Sequence, residues 1–373
     1  MGKAVLIVGG TFDRFGGKKS GLIEKIYQSI DYKKFDYDIV ACRNGGNVED
    51  LNEELEFTKE FDIVLWMPNV SNDEVKIRNV KEVNPKTILI SSKRNDNNKY
   101  NFAELISRAL ELKSNLTIEF SKVEENNCFN MRVFDPLGNQ FYNGTDVETM
   151  VNKLFKRAGE LAEFTRKPTI PVNSNDRIPE VPDEEEFFAF ARNCSDIFHN
   201  LINPAAGTTR FLGNMSFRCQ NGFPSFRGED GLIFVSRRNV DKRQITKESF
   251  VPTYLDEDEN VRYYGDAKPS VDTPVQLRLY KKFPQMNYMI HAHCYANTIL
   301  LTEHPVPCGA IEEVDEIESV VKNSMDAEFI AINLIGHGCI LMTKDVKYFT
   351  RLMKYKKYKD NCFVKRNIPE VFF

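Results

Sequence analysis

No apolar run in this chain approaches the ~20 residues that a membrane span needs, so no membrane segment is expected. Eight cysteines are present, but no two form a Cys-x-x-Cys pair. Scattered thiols suit a reduced, cytoplasmic enzyme and argue against a disulfide framework. Positive charge is not in excess. A net charge of −4 argues against nonspecific nucleic-acid binding as the main activity. Residues 1–10 are too short and abrupt for a signal peptide and read as a first strand. The glycines at 9–17 form neither a G-x-G-x-x-G fingerprint nor a Walker loop, because Gly17-Lys-Lys-Ser20 breaks the required spacing. Histidine is scarce: the five in the chain are His199, His291, His293, His304 and His337.

What is there is ordinary for a soluble globular protein, with 42% hydrophobic and 28% charged residues. The length of 373 residues fits about two domains, each able to bury its own core. Apolar, strand-like runs fall at 3–8, 37–41, 62–66 and 86–91. Helix-like segments follow them at 20–30, 48–59, 72–83 and 101–112. This alternation predicts a parallel sheet with helices on both faces, a doubly wound Rossmann- or flavodoxin-like domain over 1–165. Stretches 116–122 and 128–134 read as further strands, an edge hairpin, and 147–164 as a closing helix. The loop at 9–17 lies where such folds bind ligands. It reads as a strand-to-helix turn in preference to a nucleotide site.

Residues 166–183 carry Pro168, Pro171, Pro179 and Pro182 and read as an extended linker. A second domain then spans 184–373. It opens with a helix at 184–202, on which His199 reads as a core or surface residue.

His291 and His293 are two apart at the end of an apolar run. On a strand, both imidazoles face the same way. Two same-facing imidazoles are half of an open zinc site, and His337, in Ile335-Gly-His-Gly-Cys339 after another apolar run, is the third candidate. Cys294 and Cys339, each near one of these histidines, read as small apolar packing residues.

Further segments stand around them in order: Phe211-Leu-Gly-Asn-Met-Ser-Phe-Arg218, Phe234-Val-Ser-Arg-Arg-Asn-Val-Asp-Lys242, and Lys268-Pro-Ser-Val-Asp-Thr-Pro-Val-Gln-Leu-Arg-Leu-Tyr280. With His291-Ala-His293 and His337-Gly338, they resemble the class II aldolase/adducin family. The wording is nearest to its ribulose-phosphate 4-epimerase and fuculose-phosphate aldolase members. The resemblance covers about half the chain and leaves the first 165 or so residues aside. It implies an α/β/α sandwich, a homotetramer, and Zn²⁺ or another divalent metal held by His291, His293 and His337. It further implies a small-molecule substrate, a phosphorylated sugar, bound in turns matching Gly213, Asn214, Arg238, Asn239 and Ser270. Asp272 matches the acidic position beside the metal, as base, ligand or orienting group. Ahead of Thr273-Pro274 it also reads as a helix N-cap.

The chain departs from the family wording at Phe211, Arg238-Asn239, Val271 and Gln276. These changes leave the metal residues whole and bear on the substrate. A completing tyrosine or acid is sought among Tyr348, Tyr355, Tyr358, Glu312, Glu313 and Asp315. The expected activity is that of a zinc-dependent lyase or epimerase working through a metal-stabilised enediolate. A dehydratase or decarboxylase on the same scaffold is the nearest alternative. A non-catalytic adducin-like module with a nucleotide-binding first domain is the remaining one.

Overall fold

A computed structural model describes residues 3–70, 80, 83–123, 128–173, 178–195, 211–218, 231–296, 298, 300–322 and 328–349. They fall into two compact units, one up to Glu163 and one from Phe164 onward.

The first unit is built on seven strands: β1 (Lys3–Asp13), β2 (Tyr37–Asn47), β3 (Ile63–Val70), β4 (Thr87–Arg94), β5 (Leu116–Lys122), β6 (Phe129–Phe134) and β7 (Gln140–Gly144). Their order is β2-β1-β3-β4-β5-β6-β7. The first five are parallel, which is the flavodoxin-like order. β6 and β7 return antiparallel, so the expected edge hairpin gains a third strand. Side chains alternate across the sheet. Val5 and Ile7 pack with Ile23 and Ile26 of helix α1 (Gly21–Gln28) and with Met150, Leu154 and Phe155 of a later helix at Val147–Ala162. Leu6 and Val8 pack on the other face with Trp66 and with Leu51 of helix α2 (Val48–Phe57). Helix α3 (Phe102–Glu111) begins at a reciprocal cap between Asn101 and Glu104. The Val147–Ala162 helix, α4, closes the unit. The helix expected at 72–83 lies largely outside the described residues.

The glycine loop differs from the expected turn. β1 runs on through Gly9 and Gly10 to Asp13, and Thr11 pairs back with Lys18. A Cβ on Gly17 (φ +55) would stand 1.9 Å from the Thr11 carbonyl oxygen. The backbone of Thr11 passes too close for a side chain at this position, and the glycine is there for that close approach.

The second unit is an eight-stranded sheet, made of β8 (Thr169–Pro171), β9 (Asn214–Arg218), β10 (Ile233–Ser236), β11 (Phe250–Leu255), β12 (Val261–Tyr263), β13 (Tyr288–Ala292), β14 (Phe329–Leu334) and β15 (Gly338–Thr343). The order is β14-β15-β13-β9-β10-β11-β12-β8. All neighbours are antiparallel except β12 and β8. β8 comes from the stretch read as linker, and its proline sits at a sheet edge, where a missing N–H breaks no ladder. Both faces are covered. Ile290, Leu341 and Ala331 pack with Phe187 and Phe188 of helix α5 (Glu185–Asn193). Met289, Met342 and Ile332 pack on the opposite face with helices α6 (Thr273–Lys282) and α7 (Glu313–Val321). This is an α/β/α arrangement. His199 lies outside the described residues.

Candidate metal centre

His291 is the fourth residue of β13, two beyond Met289, and so faces the α6 and α7 side. His293 follows the strand end. His337 sits in the turn between β14 and β15, beside Gly338. A Cβ on Gly338 would be 2.1 Å from the Ala292 carbonyl oxygen, so only glycine lets β15 come in this close to β13. The outcome is three imidazoles in contact. Ring centroids are 4.9 Å apart for His291 and His293, 4.5 Å for His291 and His337, and 5.3 Å for His293 and His337.

Asp272 occupies the N-cap position of α6, with proline at the helix start, yet its side chain makes no capping bond. Its carboxylate is turned to the histidines. One oxygen accepts from Asn214 Nδ2 at 2.8 Å and the other from Cys308 Sγ at 2.8 Å. The same two oxygens lie 3.8 Å from His291 Nε2 and 3.7 Å from His337 Nε2. The position is that of a cap, but the carboxylate belongs to the site.

The other ring nitrogens are already engaged. His291 Nδ1 donates to the Cys339 carbonyl at 3.0 Å, and His337 Nδ1 meets the Glu313 carboxylate at 2.6 Å. Both Nε2 atoms are buried and have no protein partner. A buried polar atom without a partner costs free energy. A cation between these nitrogens and Asp272 removes that cost. Among the described residues, Asp272, His291, His293 and His337 are the group that could hold a metal ion, with ligand atoms all within 4.8 Å of one another. The outer partners on Nδ1 are those that fix and orient a metal-binding imidazole.

The electrostatics differ between the two buried histidines. Burial, and then His337, push His291 down to about 4, so it stands neutral, the form that binds a metal. Burial works against the charged form of His337. The Glu313 carboxylate outweighs it and holds His337 well above the ordinary range. Burial raises Glu313. For Asp272, burial acts upward, but His337, His291 and the two hydrogen bonds bring it below the usual carboxylate value. Burial and the nearby Asp272 raise the Cys308 thiol.

The turns expected to bind phosphate are tied together. Phe211 N–H donates to Asn239 Oδ1 at 2.8 Å, Arg238 N–H to the Lys268 carbonyl at 2.9 Å, and Ser270 N–H to the Ser236 carbonyl at 3.2 Å. Within them the expected residues diverge. Gly213 and Ser270 lie in the turns, Arg238 and Asn239 are exposed, and Asn214 is buried with its side chain given to Asp272 and Gln276. Val271 is 41% exposed, and a Cβ on Gly309 would stand 2.9 Å from the Val271 carbonyl oxygen.

Of the acids considered, Glu313 is the one bonded to a site histidine. Glu312 accepts from Thr165 N–H, and Asp315 is exposed. Tyr348 donates to Glu328, while Tyr355 and Tyr358 lie outside the described residues. Cys308 and Lys242 were not singled out from the sequence. Their partners are far away along the chain, and no local spacing marks them.

Residues 198–348 match the family model described as Class II Aldolase and Adducin N-terminal domain. A methylthioribulose-1-phosphate dehydratase from Picosynechococcus sp. is 37% identical over 81 residues, which are 20% of this chain and 35% of the relative. The matched stretch thus spans about a third of that relative's length. Among solved structures, a DNA/pantothenate metabolism flavoprotein from Streptococcus pneumoniae covers 42% of this chain and 98% of its own, at 13% identity and a TM-score of 0.32. An aldolase II superfamily protein from Pseudomonas syringae covers 48% of this chain and 74% of its own, at 14% identity and a TM-score of 0.31.

Proposed function

We propose that this chain, whose residues 198–348 are a class II aldolase and adducin domain, is a metal-dependent enzyme acting on a small hydroxy-carbonyl compound, a phosphorylated sugar. His291, His293 and His337, with Asp272 beside them, are the proposed holders of the ion, and zinc suits this donor set. A divalent ion there supplies Lewis-acid polarisation of a carbonyl and hydroxyl pair. Asp272 is the proposed base or orienting carboxylate. Asn214 and Cys308, one on each oxygen, keep it aimed at the histidines. Glu313 orients His337 through Nδ1.

The observation that carries this reading is the pair of buried Nε2 atoms without protein partners, facing one carboxylate. The exposed Arg238 and Lys268, joined through their backbones, support an anionic substrate. The dehydratase relative favours loss of water after the first proton is removed. Aldol cleavage and epimerisation remain as lyase and epimerase outcomes of the same centre. The family points to a homo-oligomer, a tetramer, and the scattered cysteines to the cytoplasm. Among the described residues, no helix is long and apolar enough to cross a membrane.

The test is an incubation of the metal-loaded protein in D₂O with a set of ketose phosphates, methylthioribulose 1-phosphate included. NMR follows exchange at the carbon beside the carbonyl together with product formation. Exchange that depends on metal and on Asp272 supports the reading, and the product identifies the reaction. Neither exchange nor product with any of them, at full metal loading, overturns it.

A further inference from the structure

Lys242 is 0% exposed, within the short 3-10 turn Lys242–Gln244. Its ammonium group donates to three successive carbonyls, those of Phe211 at 3.2 Å, Leu212 at 3.1 Å and Gly213 at 2.7 Å. Burying an ammonium is expensive unless its donors are met. An apolar side chain would fill the same volume without that cost. Burial pushes Lys242 down to about 7, against the pull of Asp241 and Asp272.

The three carbonyls belong to the turn that leads into β9, whose first residue is Asn214. Asn214 lies directly opposite His291 in the ladder between β9 and β13. Its side-chain amide donates to Asp272, and its oxygen accepts from Gln276. The contacts therefore run without a gap from the buried ammonium through Gly213 and Asn214 to the carboxylate of the metal centre. Asn239 grips the other end of the turn through Phe211 N–H.

We propose that Lys242 is a positioning residue. It fixes the 211–213 turn from beneath, and so sets Asn214 and, through it, the direction of the Asp272 carboxylate. This rests on the metal-centre reading above. Lys242 is not among the four residues grouped to hold the metal.

The experiment compares the full-length wild type with Lys242→Met, Asp272→Asn and the double variant. Hydrogen exchange is measured across 211–216, and Co²⁺ is titrated as a spectroscopic stand-in for the native ion. Lys242→Met should speed exchange at 211–216 and shift the cobalt absorption bands as Asp272→Asn does. It should weaken Co²⁺ binding by about 10-fold, the scale seen for outer partners of metal ligands. The double variant should bind no more weakly than Asp272→Asn alone, because the two changes act on one chain of contacts. Wild-type exchange at 211–216 in Lys242→Met overturns the proposal. So does a loss of affinity that adds in full to that of Asp272→Asn, or a melting point lowered with the cobalt spectrum unmoved. If Lys242→Met does not fold, Lys242→Gln, whose shorter side chain carries two N–H groups and cannot meet all three carbonyls, takes its place, with the same changes expected at smaller size. If the wild type takes up no cobalt, the metal reading falls, and exchange at 211–216 alone decides whether Lys242 holds the turn.

Discussion

His337 Nδ1 and Glu313 Oε1 are 2.6 Å apart, with both side chains almost wholly buried. Glu313 is the first residue of α7 and His337 lies in the β14–β15 turn, so this contact ties a helix start to the sheet. The bond leaves only Nε2 of His337 to face Asp272. Glu313→Gln keeps the shape and removes the charge. It is expected to weaken metal binding by about 10-fold or more with the fold retained. A chelator competition, alongside circular dichroism, checks it. Unchanged affinity would show that Glu313 serves packing alone.

Cys308 holds one oxygen of Asp272. A thiol is a weak donor, and its loss should cost roughly 1 kcal/mol, about a fivefold drop in turnover. Cys308→Ala is therefore expected to lower the rate of α-proton exchange modestly, leaving metal content and melting temperature close to wild type. Lost metal would instead place the thiol among the ligands.

The first unit depends on a backbone contact that admits no side chain at Gly17. Gly17→Ala puts a Cβ against the Thr11 carbonyl at positive φ, and about 2 kcal/mol of destabilisation is expected. Trp66, the chain's single tryptophan, is fully buried in this unit. Its fluorescence in urea reports the unit's midpoint directly. The midpoint should fall while metal binding in the second unit stays as it was. An unshifted midpoint would mean that the turn yields at little cost.

Much of the site was legible in advance, because it rests on local periods. His291 and His293 are two apart at the end of an apolar run, although the strand itself stops at Ala292, and His337 follows a second such run. Asp272 was ambiguous for a physical reason: an N-cap and a site carboxylate call for the same residue before the same Thr-Pro pair, and only side-chain direction separates them. Cys308 and Lys242 were invisible because their partners are 36 and 29 to 31 positions away along the chain. The prolines of the 166–183 stretch masked β8, since a short edge strand needs few backbone donors. The glycines of 9–17 read as a strand-to-helix turn, and the pairing of Thr11 with Lys18 within it has no local signature. Their conformational freedom serves a contact of the chain with itself.

Metal content tests the account's central claim most directly. The purified protein is assayed by elemental analysis beside a His291→Ala/His293→Ala variant, with folding of both checked by circular dichroism. About one divalent ion per chain in the wild type, zinc foremost, and none in the folded variant, is the predicted result. A wild type that holds no metal and takes up none on adding zinc, or a variant that binds as well as the wild type, contradicts the account.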